Sequence, residues 1–263
     1  MAITAELLLL GFVAGFTIFF GLPIALMPEK KKFKGILNSV ATGVLIFLLV
    51  EVIHDSVELV ENSTIAASSG SSSVMAAVSS SAILVIGLVI GLLGLVLFEL
   101  KFLRSRESRS LGLGKAKYLA LMIATGIGLH NFSEGLAIGQ SYVSGAIHLA
   151  LLLAVGFGLH NMTEGFGIAG PLHGFKPTWK FLLLLGIIGG GPTFLGAVIG
   201  SIYSSSALSL LFLSLAGGAI IYVIKELLYH GRIEGEDFLM MSGLLIGFFL
   251  GFGAEIALKL FGG

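Results

Sequence analysis

Two segments of the chain carry the same set of polar side chains. Their types are ones that commonly bind metal ions in proteins. Residues 128–135 read GLHNFSEG and residues 158–165 read GLHNMTEG. In a helix, the histidine and the glutamate of each segment lie four residues apart and project from one face. The asparagine lies about 100° round the helix and can serve an adjacent site. The repeat therefore predicts a metal centre with the candidate ligands His130, Asn131, Glu134, His160, Asn161 and Glu164.

A packing role is the simpler alternative, because polar side chains also bond one membrane helix to another. Packing alone requires neither histidine and glutamate at ligand spacing nor the same cluster twice, so metal binding is the favoured interpretation. Imidazole and carboxylate ligands suit zinc, ferrous iron, manganese or cobalt better than copper(I). The chain has no cysteine, which excludes a thiolate site and a cysteine nucleophile.

The composition indicates that these segments lie in a membrane. Of the 263 residues, 56% are hydrophobic and only 11% are charged, against about 25% charged in a typical soluble domain. The 38 glycines show no Gly-X-Y period, which favours closely packed transmembrane helices. A net charge of zero gives no indication of nucleic-acid binding.

Apolar runs long enough to cross a bilayer predict an all-α bundle of eight transmembrane helices. The predicted spans are 6–28, 36–59, 81–100, 117–140, 147–170, 180–202, 207–229 and 238–260. Residues 62–80, rich in serine and alanine, favour a flexible outer loop, with a helical continuation of helix 2 or 3 as the alternative. Pro192, after three glycines, predicts a kink or break in helix 6. Close packing of these glycines against helices 4 and 5 is a second interpretation and is compatible with the first.

Lysine and arginine fall almost wholly on alternate loops, including the basic loop 101–117. The positive-inside rule therefore places these loops in the cytoplasm and both termini outside. Each repeated motif lies near the middle of its span, at the bilayer midplane. An ionised carboxylate at that depth costs at least a few kcal/mol without a partner, and a divalent cation is a natural partner.

With these motifs and spans, the chain resembles the ZIP (Zrt/Irt-like) family of divalent metal transporters. The resemblance implies a single transmembrane domain over 1–263 that carries metal through a binuclear centre on helices 4 and 5, with help from helices 2 and 7. It assigns the main site to His130, Glu134, His160 and Glu164, and the second site to Asn131 and Asn161 with both glutamates bridging. It also implies that one helix bundle slides against another.

The resemblance gives the cargo and the partners as well. The metal is transported rather than held as a cofactor; zinc is the first expectation, and cadmium, iron, manganese and cobalt are the others. We expect an integral protein of the cell membrane that imports metal into the cytoplasm. The expected partners are divalent metal ions, the lipid bilayer and, in a homodimer, a second copy of the chain, but no nucleic acid.

Predicted helix 2 carries polar residues at intervals of three and four, which form one stripe: Glu51, His54, Asp55 and Glu58. Because this helix runs outward, Glu51 lies nearest the bilayer centre and is the candidate ligand, with His54 or Asp55 as the alternative for that place. His54, Asp55 and Glu58 then form an outer access path. The alternative for the outer members is a solvated helix end.

Glu226, in YVIKELL on helix 7, matches a glutamate of the family and is a candidate ligand near the cytoplasmic side. Its alternatives are an ion pair with Lys225 and a helix-end residue that reaches the interface. Glu6 and Glu255 lie near predicted helix ends, where charge costs little, and we assign them no role.

Two other functional classes remain open. An intramembrane metal-dependent enzyme needs an open coordination position and a general base, but the chain lacks HExxH and its paired motifs use the carboxylates as ligands. We therefore expect no enzyme. A proton or sodium carrier also places glutamate and histidine inside the membrane.

Overall fold

A computed structural model describes residues 3–27, 31–102, 113–203, 205–231 and 236–262. Across these ranges the chain is helical and contains no β-strand, which confirms the all-α prediction. The α-helices are α1 (Ala5–Phe16), α2 (Lys31–Ser68), α3 (Val74–Phe102), α4 (Leu113–Val143), α5 (Ile147–Ala169), α6 (Trp179–Ile202), α7 (Ser206–Gly231) and α8 (Asp237–Gly262). Most of the basic loop 101–117 lies outside the described residues.

Seven helical segments in the described part of the chain are long and apolar enough to cross a membrane. They include α1 with the turns that follow it, and every other α-helix except α4. The 31 residues of α4 span about 46 Å at 1.5 Å per residue, more than a bilayer core needs. However, the polar residues at its centre lower its hydropathy. The predicted count of eight spans therefore rests on α4.

The first segment is α-helical only as far as Phe16. Two 3₁₀ turns, Thr17–Phe20 and Leu22–Leu26, then continue it to the cytoplasmic side predicted from sequence. Gly21 lies between these turns, and a Cβ there would collide with the backbone of Met162 and Gly165 on α5. The close approach of α5 thus requires glycine at this position.

The predicted outer loop over residues 62–80 is wrong, and the helical alternative is correct. Helix α2 continues to Ser68 and α3 begins at Val74, so only a short turn remains, with Gly70 at φ 75°. The hydroxyl groups of Ser79 and Ser81 donate to backbone carbonyls four residues earlier. Such bonds satisfy serine within a helix, and the neighbouring alanines favour helix. A serine-rich composition therefore did not predict a loop.

The eight helices form two bundles. Helices α1, α4, α5 and α6 pack on one another, most extensively α4 on α6; helices α2, α3, α7 and α8 form the second bundle, with α7 packed on α3 and α8 on α2. The bundles meet where α4 contacts α7 and where α5 contacts α2 and α8. The two repeated motifs, on α4 and α5, thus belong to the same bundle.

Glycine allows α4 and α6 to pack backbone against backbone. A Cβ at Gly135 would collide with the Thr193 carbonyl oxygen, and one at Gly139 with that of Ala197. From the other side, a Cβ at Gly196 of α6 would collide with the Phe132 carbonyl oxygen of α4. Small residues at such spacing let membrane helices approach closely. These contacts make the first bundle a tightly joined unit.

Helix α6 is continuous across Pro192, so the predicted break is wrong. The glycines before the proline do pack closely, with a Cβ at Gly190 colliding with the Gly15 carbonyl of α1. Proline has no N–H, so the carbonyl of Ile188 loses its partner within the helix. Gly128 of α4 packs directly against that carbonyl. The neighbouring helix therefore covers the position at which the hydrogen bond is missing.

Backbone contacts through glycine also join the second bundle. Gly43 on α2 faces the Leu244 carbonyl on α8, and Gly91 on α3 faces the Leu215 carbonyl on α7. At the boundary between the bundles, Gly167 on α5 instead faces the methyl group of Ala41, with 3.3 Å between the two Cβ positions. This boundary contact is made by a side chain.

Candidate metal centre

The two repeated motifs meet between α4 and α5. The Asn131 side-chain nitrogen donates to the Asn161 Oδ1 at 2.6 Å and to the Glu164 Oε2 at 3.1 Å. The asparagine of the first motif thus contacts both the asparagine and the glutamate of the second. The two repeats are therefore in direct contact through these side chains.

Glu134 joins the same cluster from α4. The His130 Nε2 lies 3.1 Å from its Oε1, as expected for residues four apart on one helical face. Asn161 interacts electrostatically with the Glu134 carboxylate. We call Glu134, Asn161, Asn131 and Glu164, together with His130, the central cluster.

The central cluster is buried. Glu134 is 5% exposed and Glu164 is 2% exposed, while Asn131 and Asn161 are completely buried. Two buried carboxylates cost several kcal/mol each when ionised, and this cost is offset only by good partners. The amide donors supply part of this compensation, and a divalent cation would supply more.

Two acceptor atoms of the central cluster are of the kind that binds metal ions. The Glu134 Oε2 and the Asn131 Oδ1 are buried, and no hydrogen-bond donor reaches either of them within the described part of the chain. Buried acceptors are nearly always satisfied. Carboxylate and amide oxygens are ligands of divalent metals, so each atom is available as a metal ligand.

Backbone carbonyls of two other helices orient the asparagines. Asn131 donates to the Gly189 carbonyl of α6 at 3.0 Å, and Asn161 donates to the Ala14 carbonyl of α1 at 2.8 Å. Sequence reasoning missed both residues, because a carbonyl has no side-chain signature. In the sequence, only the glycines of α6 indicated that the backbone of this helix could approach the asparagines.

His160 lies within helix α5, but its side chain is outside the described residues. Its assignment as a ligand therefore stays a prediction from the motif. Because His160 and Glu164 are four residues apart on one helix, their spacing matches that of His130 and Glu134.

Glu51 lies between the central cluster and the outer part of α2. Its carboxyl is within hydrogen-bonding reach of Glu255 on α8 and in electrostatic contact with Glu134 and Asp55. Sequence reasoning assigned no role to Glu255, because it was placed near a helix end. A carboxylate within a predicted span was the signal that pointed to it.

The outer members of the α2 stripe come together as predicted from their spacing. The ligand atoms of His54, Asp55 and Glu58 lie within 4.8 Å of one another, and all three residues are exposed. Asp55 is also in electrostatic contact with His130 of the central cluster. The stripe therefore leads from an exposed group of ligands towards the buried one.

Glu226 on α7 is 5% exposed, which makes it another buried carboxylate. Lys225 forms an ion pair with it, as one of the alternatives from sequence proposed. Burial and pairing both occur, so this pair does not exclude a role for Glu226 as a ligand.

Comparison with known proteins adds a finding that is independent of this geometry. The profile of the ZIP zinc transporter family matches residues 101–258, well over half of the chain. The matched part contains both repeated motifs and Glu226, but not the α2 stripe. No curated protein matches the chain.

Proposed function

The chain belongs to the ZIP zinc transporter family, and from this membership we propose that it carries zinc into the cytoplasm through a two-metal centre between α4 and α5. Membership implies transport of divalent metal ions by an integral membrane protein, and the family consists of transporters rather than enzymes. The particular metal, the direction and the two-metal centre are proposals.

The observation that carries the proposal is the buried central cluster. In the proposed arrangement, His130 and His160 bind the first metal with both glutamates, and Asn131 and Asn161 bind the second. The glutamates bridge the two ions. The unsatisfied oxygens of Glu134 and Asn131 support this arrangement, since each is an acceptor that a metal would engage.

The proposed cargo follows from the ligand types. Nitrogen and oxygen ligands without thiolate suit zinc, and also cadmium, ferrous iron, manganese and cobalt. The chain supplies imidazole, carboxylate and amide at the centre and has no cysteine.

The proposed path runs inward along α2. Metal first meets His54, Asp55 and Glu58, then passes Glu51, enters the central cluster and leaves past Glu226. This direction rests on the basic loops being cytoplasmic, with α4 as the eighth span and both termini outside. The cell membrane and a homodimer are further proposals.

We also propose that the metal moves with one bundle. The bundle of α1, α4, α5 and α6 carries the central cluster and is joined by backbone contacts, whereas Gly167 meets the other bundle through a side chain. A close backbone fit resists sliding more than a side-chain contact does. This distribution supports movement of the bundle as a unit.

A proton carrier is the second candidate. Two carboxyl groups form a hydrogen bond only when one of them is protonated, and the Glu51 and Glu255 carboxyls are within hydrogen-bonding reach of each other. A proton shared by this pair is the observation that favours proton transport, either alone or with metal.

Proteoliposomes that contain both a zinc-sensitive dye and a pH-sensitive dye test these proposals together. We expect an external zinc gradient to give a zinc signal with wild-type protein and none with empty vesicles. Proton flux in the absence of zinc, without any zinc signal, would support the carrier instead. Orientation of the protein, determined by protease access to the basic loops, gives the direction of transport.

A further inference from the structure

The ion pair between Lys225 and Glu226 on α7 is not a product of helical spacing. Neighbouring residues in a helix project about 100° apart and do not face each other. The lysine ammonium nevertheless contacts the Glu226 Oε1. It also lies 5.6 Å from the centroid of the Tyr222 ring, one turn earlier. The lysine side chain therefore bends over the helix surface to reach the carboxylate.

The two partners differ sharply in burial. The Glu226 side chain is 6% exposed, and the Lys225 side chain is 62% exposed. A buried carboxylate requires a counter-charge, whereas a lysine on a flexible stem keeps its ammonium near water. The pair can thus open by movement of the lysine alone, while the carboxylate stays in place.

A carboxylate that holds an ammonium group has one of its two oxygens occupied and its negative charge partly neutralised, which weakens its attraction for a divalent cation. Lysine and metal therefore compete for Glu226, and the lysine is tethered one residue away. A tethered competitor lowers the apparent affinity for metal by the factor that describes its own intramolecular binding.

We propose that Lys225 is a tethered cation that occupies Glu226 between transport events and displaces the metal from this carboxylate. This inference rests on the proposed function, in which Glu226 is the last carboxylate before the cytoplasm. A last ligand with high affinity would retain metal and slow each cycle. The lysine prevents retention because its ammonium competes with the bound metal for the carboxylate and so lowers the affinity of this ligand for metal.

Removal of the lysine should therefore strengthen binding and slow release. Surface ion pairs contribute up to about 1 kcal/mol, which corresponds to about fivefold in affinity, and the burial of Glu226 raises this figure. We expect Lys225→Met to bind zinc about five- to tenfold more tightly at this position. In uptake assays its kcat and its KM should both fall.

The test uses full-length protein in lipid nanodiscs for equilibrium zinc titration and in proteoliposomes for uptake. Lys225→Met is compared with wild type, with Lys225→Arg and with Lys225→Met/Glu226→Gln. The arginine variant keeps the charge and should show no gain in zinc affinity. The double variant lacks the carboxylate and should lose the gain in affinity. If Lys225→Met does not fold, Lys225→Gln replaces it, and the same gain in zinc affinity is expected.

Lys32→Met is the matched control, because Lys32 pairs with Glu236 at 2.6 Å, also on the proposed cytoplasmic side, and its side chain is 72% exposed. It should leave zinc affinity and kcat unchanged. Unchanged zinc affinity in both Lys225→Met and Lys225→Gln, or a gain that persists in the double variant, would overturn the inference. Failure of the proposed function is distinguishable, since it would appear as absent zinc uptake by wild-type protein.

Discussion

Asn131 shows how one side chain connects the two repeats. Its nitrogen donates to α5 and to α6, while its oxygen has no donor within the described ranges. The amide is therefore held by three acceptors, Asn161 and Glu164 of the second repeat and the Gly189 carbonyl. In the proposed centre, this arrangement positions the free oxygen for a metal ion before the ion arrives.

Loss of either central carboxylate should abolish transport. Glu134→Gln and Glu164→Gln keep the size of the side chain but remove a charged ligand that two metals share. We expect zinc affinity to fall at least about a hundredfold and uptake to reach background. Zinc titration and proteoliposome uptake measure the two effects.

Glu6→Gln is the control for these variants. The Glu6 carboxylate accepts a hydrogen bond from the Tyr142 hydroxyl at 2.9 Å, and a glutamine oxygen can accept the same bond. This variant should therefore transport as wild type does. Transport by a properly folded Glu134→Gln/Glu164→Gln double variant would rule out the two-metal centre.

Helix α2 makes a directional prediction, because its polar residues change from exposed to half-buried along one stripe. Glu58→Gln should weaken capture of metal about threefold at low ionic strength and much less at high ionic strength, since salt screens attraction by exposed charges. Glu51→Gln should damage binding at either ionic strength. Uptake measured against zinc concentration at two salt concentrations separates these outcomes. If both variants match wild type, the stripe is only a solvated helix end.

The contact between α4 and α6 makes a prediction about stability. Gly135→Ala places a Cβ against the Thr193 carbonyl, which is backbone and cannot move aside cheaply. We expect a loss of about 1–3 kcal/mol in the free energy of unfolding, seen as a lower Tm in detergent, together with reduced uptake. Gly94→Ala on α3 is the control, because no atom lies within 4 Å of its added Cβ and alanine favours helix. An equal loss of Tm in both variants would contradict close packing as the cause.

The molecule as a whole should stop transporting when its two bundles are joined covalently. The chain has no cysteine, so an introduced pair is the only pair that can form. Ala41→Cys/Gly167→Cys links α2 to α5 across the boundary, where the Cβ positions are 3.3 Å apart, close to the separation of about 3.8 Å in a disulfide. Oxidation should block uptake, and reduction should restore it.

Thr17→Cys/Gly158→Cys is the control for this crosslink, since it joins two elements of the same bundle. The Thr17 side chain lies 3.5 Å from the Cβ position at Gly158. Its oxidation should leave uptake intact when the bundle moves as a unit. Full transport by the oxidised boundary pair would show that the bundles do not slide.

Several features that depend on residues close in sequence were predicted correctly. Composition indicated a membrane protein, the runs of apolar residues located the helices, and the spacing of histidine and glutamate placed His130 beside Glu134. For the last of these, the periodicity of one helix is sufficient, because it determines which side chains share a face. The serine-rich segment after Asn62 was predicted wrongly for a related reason: composition does not show that hydroxyl groups bond to their own helix.

Only the tertiary structure decided which helices meet, and therefore which groups complete the centre. Three features depend on neighbours distant in sequence. They are the carbonyls of Ala14 and Gly189 at the centre, the contact between Glu51 and Glu255, and the continuity of α6 across Pro192. Helical periodicity specifies a face but not the partner of that face. The partner is selected by packing, in this chain by glycines that admit one particular backbone.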